Sequence, residues 1–89
     1  MRPATATKLR ANAATIHQLG LRHGLHAFAL SSEPGELVAT LDADRSYFDI
    51  TSFEADLSSI LGAVVEVVPR GPGVDVNETE PLNDLRGAA

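Results

Sequence analysis

Asp42-Ala43-Asp44 is the one Asp-x-Asp in the chain. Two carboxylates at i and i+2 share a face when the backbone is extended, and hard oxygen ligands of that kind suit Mg²⁺. Here the pair follows an apolar run and sits in LDADRS, a stretch of turn formers. Loop solvation and the approach to a helix account for it more simply than a displaced metal pair. Nothing after it continues the ligand series of a calcium loop. His17, His23 and His26 match no strong zinc spacing and read as surface or boundary residues, or as partner contacts. A Ser-His-acid triple can be drawn from Ser31, His26 and Glu66, but such triples occur in most sequences and specify no nucleophile. With no cysteine in the chain, disulfides and thiolate zinc sites are excluded. No metal site and no cofactor is expected.

The elements that would position these residues follow from periodicity. Residues 1–6 read as frayed. Leu9, Ala13, Ile16 and Leu19 recur at helical spacing, so a helix is expected from about Thr7, its candidate cap, to an exit between Gly20 and Gly24. Residues 25–31 form an apolar strand, broken by SSEPGE, whose Pro34-Gly35 suits a turn. ELVATL, residues 36–41, is a second strand. Ser46 is a candidate N-cap with Asp49 three residues on as its capping-box partner. Ile50, Phe53, Leu57, Ile60 and Leu61 make an apolar helical stripe that Gly62 ends. AVVEVV, residues 63–68, is strand-like, with Glu66 on its more exposed side, and Pro69 stops it. The fold class is therefore α/β, with a small mixed sheet of about three strands packed against two helices. The domain is expected over residues 1–69. Residues 70–89 read as an acidic tail containing Gly and Pro, with PLNDLRG able to make a short helix.

The order AFALSSEPGE, then LVATLDADRSYFDITSFEADLSSILGAVVEVV, resembles the minimal nucleotidyltransferase domain. That family runs an apolar strand into Gly-Ser, a second Gly, an Asp-x-Asp strand, a helix and a Val-rich strand. Its carboxylates hold the metal that offsets charge during nucleotidyl transfer. The resemblance covers roughly residues 10–69 and is sharpest at LGAVVEVV. It makes Ser31, Gly35, Glu36 and Glu66 the relict nucleotide-site positions, with Glu66 in the place of a third carboxylate. Leu30 stands where the first glycine belongs, and the Asp-x-Asp strand is contracted away. Many small members of the family are antitoxins of bacterial toxin–antitoxin systems. The resemblance thus implies a non-catalytic antitoxin, not an enzyme, that neutralises a cognate toxin by direct contact. The toxin would be an RNase or nucleotidyltransferase-like protein. A non-catalytic regulatory subunit of a nucleotidyltransferase assembly, or a residual nucleotidyltransferase that modifies its toxin, remains the alternative.

Charge fits a protein partner. The net charge is -5, and residues 1–30 carry Arg2, Lys8, Arg10 and Arg22 with no acid. Every Asp and Glu lies in residues 31–89. That basic density is ordinary for a solvated helix, so direct nucleic-acid binding is not expected. The acidic remainder suits a basic protein surface. Within the tail, Val74, Val76, Glu78, Glu80, Leu82, Asp84 and Leu85 are candidate partner contacts, and the exposed side of the strand at 64–68 is the rival surface. A sheet covered on one side also leaves room for homo-oligomers. No run approaches the 18 apolar residues of a membrane span, and no apolar stretch follows Arg2 and Lys8 as a secretory signal requires, so a cytoplasmic location is expected.

Overall fold

The computed structural model describes residues 1–83. Thr5 caps the first helix, α1 (Ala6–Ala11), its hydroxyl accepting from the Lys8 N–H at 3.1 Å. The spacing predicts one continuous helix here, but the chain breaks at Asn12 and resumes as α2 (Ala13–Arg22). The Asn12 side-chain amide donates to the Lys8 carbonyl at 2.8 Å, a local bond that competes with helix continuation. Strand β1 (Leu25–Ser31) follows, then β2 (Glu36–Leu41). Helix α3 (Tyr47–Leu61) opens on the expected capping box: Ser46 Oγ accepts from the Phe48 N–H, and Asp49 accepts from the Ser46 N–H at 3.0 Å. It ends at Gly62, whose N–H donates to the Ser58 carbonyl. Strand β3 is Glu66–Pro69 and β4 is Glu78–Pro81.

The sheet has four strands in the order β3-β2-β1-β4. Strands β1 and β2 are antiparallel, β2 and β3 parallel, and β4 lies antiparallel to β1. The sheet is thus mixed, with one strand more than the sequence predicts. The addition comes from residues 78–81, inside the stretch read as a tail. The described part of PLNDLRG contains no helix: Pro81 closes β4, Leu82 and Asn83 follow it without regular structure, and residues 84–87 lie outside the described residues.

Helices α1, α2 and α3 pack against one face. Leu9, Ile16, Ile50, Phe53 and Leu57 share a core with Phe28, Leu30, Leu37 and Val67 from the strands. Phe28 and Phe53 stack with ring centroids 5.3 Å apart, tying β1 to α3. Gly20 lets α2 approach β1, since a Cβ there would stand 2.5 Å from the Phe28 ring. Leu82, just past β4, is 3% exposed and belongs to this same core.

Both sheet edges are managed. On β3, the Val65 N–H donates to Ser58 Oγ at 3.1 Å and the Val67 N–H to Glu54 Oε2 at 2.7 Å, so α3 satisfies the edge. On β4, Pro81 removes a donor. Residues 2–4, read as frayed, instead bridge Val64: the Ala4 N–H donates to Val64 O at 2.9 Å and the Val64 N–H to Arg2 O at 2.8 Å. Ala4 is 1% exposed.

Candidate functional site

The side chains of a strand alternate between faces, so burial of Leu30, Leu37 and Val67 on the helix side turns their neighbours to the other. That open face carries Ala29 and Ser31 from β1, Glu36, Val38 and Thr40 from β2, and Glu66 and Val68 from β3; Ala29 and Val38 are buried at its centre, and Glu66 is exposed at its edge. Register brings together three of the four positions that the resemblance singles out. Glu36 and Glu66 are directly paired across parallel strands, which puts them about 4.8 Å apart at the backbone. Ser31 Oγ donates to Glu36 Oε1 at 2.7 Å and accepts from the Glu33 N–H at 3.1 Å. Neither Glu36 nor Glu66 has an ion-pair partner among the described residues.

Gly35, the fourth position, sits at the turn with φ at +74°. A Cβ there would lie 2.8 Å from the Val64 carbonyl oxygen and 3.0 Å from Pro3 Cβ. The space beside this glycine is therefore taken by the chain's own first residues. A cleft of about 270 Å³ runs between Pro3, Ala4 and Thr5 on one side and Ser31, Ser32 and Glu33 on the other, with Leu9 and Leu30 in its lining.

The donors on this face do not fit the metal pair of a nucleotidyltransferase. Two carboxylates on one strand face must stand at i and i+2. From Glu36 the i+2 position is Val38, which is 0% exposed, and the next is Thr40. Among the described residues, no group of three or more His, Cys, Asp or Glu could hold a metal ion. Asp42 and Asp44 lie past the end of β2 in the connection to α3. Asp42 faces His26 at 3.0 Å, and its carbonyl accepts from the Arg45 N–H. The histidines disperse: His23 pairs with Asp56 at 3.2 Å, and His17 Nε2 meets the Leu82 carbonyl at 2.6 Å. His26, five residues back along β1, stands roughly 16 Å from Ser31 by strand rise, so Ser31, His26 and Glu66 form no triad.

Three of the candidate contacts of the tail, Glu78, Glu80 and Leu82, are engaged within this chain. Leu82 is in the core. Glu80 pairs with Arg10, and Glu78 makes a two-pronged ion pair with Arg70 at 2.8 and 2.9 Å. Val76 is half-buried and Val74 is 42% exposed, both in the crossing from β3 to β4. Asp84 and Leu85 lie outside the described residues. On the rival surface, Val68 is half-buried and Glu66 exposed.

Arg70 is the residue of this face that periodicity does not reveal. Beyond Glu78, its guanidinium donates to the Ala27 carbonyl at 2.6 Å and to Thr40 Oγ1 at 3.0 Å, so one side chain reaches across all four strands. Ala27, at the β1 bulge, holds φ at +55°, unusual for a residue with a Cβ. The Arg70 hydrogen bonds hold the Glu78 carboxyl below the usual carboxylate range, and Glu78 in turn raises Arg70. Its partners are scattered along the chain, so only the fold assembles them.

No family model matches this chain, and no curated protein matches it in sequence. A solved structure described as a candidate minimal nucleotidyltransferase does match in shape. It is 20% identical and superimposes with a TM-score of 0.62 over 76% of this chain and 83% of that one. At that identity the likeness is one of fold. The chain is a small α/β domain whose mixed sheet and helices resemble the minimal-nucleotidyltransferase fold, without an obvious catalytic metal site among its described residues.

Proposed function

We propose that this protein is a non-catalytic antitoxin that neutralises a cognate protein toxin by direct contact. The observation that carries the reading is Val38. It occupies the same-face position two residues from Glu36 and is fully buried, so β2 brings one carboxylate to this face and not an i, i+2 pair. Nucleotidyl transfer develops negative charge on phosphate oxygens, which a metal or fixed cations must offset. Arg70, the one cation on this face among the described residues, is already committed to Glu78, Thr40 and Ala27.

What remains on the open face is acidic and apolar: Glu36 and Glu66 beside Val68. Such a surface suits a basic protein, and a toxin that handles RNA or nucleotides carries positive potential. The experiment is co-expression with the protein encoded next to this chain. The neighbour is expected to arrest growth alone and to be rescued by this chain, with the two recovered as a complex. A harmless neighbour, or a toxic one that is neither rescued nor bound, refutes the antitoxin reading. Rescue that requires Ser31 and Glu66 and that leaves a nucleotide on the toxin would favour residual transferase activity instead.

A further inference from the structure

Val38 and Ala29 stand opposite each other on β2 and β1 and are 0% and 1% exposed, yet neither belongs to the core that the helices share. Both point to the face away from the helices, so something on that face covers them. The topology names it. Strands β3 and β4 run in the same direction as β2 and lie at opposite edges of the sheet. The chain leaves the end of β3 and has to return to the start of β4, crossing β2 and β1 on the way. The helix face is filled, which leaves the other one. Sideways the passage is about 14 Å, three strand spacings, and residues 70–77 can span about 26–29 Å. Beneath them lies an apolar row: Val38 pairs with Ala29 on one side and with Val68 on the other.

This cover is fastened at its ends and loosely held between them. At one end the Arg70 N–H donates to the Ala39 carbonyl at 2.9 Å; at the other the Ser32 N–H donates to the Asn77 carbonyl at 3.0 Å. The two-pronged Arg70–Glu78 ion pair joins the two ends. Between them, among the described residues, a single backbone bond is made, from the Val74 N–H to the Gly71 carbonyl. Gly71-Pro72-Gly73 has little to bury, Val74 is 42% exposed and Val76 is half-buried. A segment with so few buried contacts and internal hydrogen bonds opens at a lower free energy than the domain unfolds. We propose that residues 71–77 are a strap that lifts as a unit from the intact sheet, with the Arg70–Glu78 pair as its clasp, and so uncovers the row Val68, Val38 and Ala29. Closed, the strap keeps this row from water and from any partner. Open, it adds an apolar centre to the face that carries Glu36 and Glu66. The strand ladders and the helix-side core stay in place when it lifts. This inference does not depend on the antitoxin reading, since strap, clasp and row all belong to this chain.

Thiol labelling tests it. Because the chain lacks cysteine, Ala29→Cys puts a sole thiol under the strap, and Ala13→Cys puts one in the helix-side core, where Ala13 is 4% exposed. Each variant is checked by circular dichroism, its unfolding free energy is measured in urea, and its reaction with dithiobis(nitrobenzoate) is followed below the unfolding transition. Ala29→Cys is expected to react about tenfold or more faster than global unfolding of that variant allows, with little dependence on urea, because a local opening exposes little surface. Ala13→Cys is expected to react no faster than global unfolding allows. Glu78→Gln removes the charge from the clasp and is expected to speed labelling of Ala29→Cys by about tenfold, while labelling of Ala13→Cys changes only as far as its urea stability does. Val38→Cys repeats the reading from β2 and replaces Ala29→Cys if that variant does not fold. A thiol under the strap that is protected to the global limit overturns the proposal. So does labelling that Glu78→Gln leaves unchanged, or equal excess reactivity at Ala13→Cys.

Discussion

At the scale of single residues, Gly35 links the resemblance to the physics. Its φ of +74° and the Val64 oxygen 2.8 Å from any added Cβ both require glycine. Gly35→Ala is expected to cost about 2 kcal/mol or more, combining left-handed strain with displacement of the bridge between residues 2–4 and Val64. Urea unfolding measures it, and a cost below about 0.5 kcal/mol would mean the bridge gives way freely. The same position illustrates what sequence conveys. That a glycine stands in the turn is legible from Pro34-Gly35. That Pro3 and Val64 close around it is not, because neither carries a local pattern pointing there. Ser31, Glu36 and Glu66 were legible as a set only through the family resemblance, and it is the strand register that makes them neighbours.

At the scale of elements, α3 follows local signals throughout. Ser46 and Asp49 form the capping box, the apolar stripe packs inward, and Gly62 ends the helix. Ser46→Ala is expected to cost about 1 kcal/mol, read as a lower urea midpoint. Asp49 adds a pH dependence. Its hydrogen bond from the Ser46 N–H, and then Arg45, hold its carboxyl below the ordinary value. The folded-state pKa is lower than the unfolded one, so the unfolded chain binds more protons across that interval and stability rises with pH. The contribution is complete above the unfolded value of about 4 and is lost as pH falls through the folded one. Glu78, lowered by Arg70, acts with the same sign. Asp49→Asn is expected to flatten the acid limb of stability against pH; an unchanged limb would remove the capping carboxylate from the account. Strand β4 is the contrasting case. ETEP has no apolar alternation, and its proline argues against a strand. Its pairing depends on β1, far back in the chain, and on Leu82 buried beyond it. Leu82→Ala is expected to cost about 2–5 kcal/mol, whereas the exposed Val74→Ala stays within about 0.5 kcal/mol. Equal effects would mean that residues 78–82 are not held by that anchor.

At the scale of the whole molecule, the sheet divides two roles. One face holds the helices and the core. The other holds Ser31, Glu36 and Glu66, with Arg70 drawn across it to Glu78. Among the described residues, four strands, two managed edges and a shared helix-side core hold the fold without drawing on the open face. The proposed antitoxin role has this face act by contact. The most direct measurement is the intact mass of the toxin recovered from cells co-expressing it with this chain. The account predicts a complex in which the toxin has the mass of its unmodified sequence and growth is restored. A rescued toxin heavier by one or more nucleotidyl groups, unmodified when Ser31→Ala and Glu66→Gln are introduced, would contradict it.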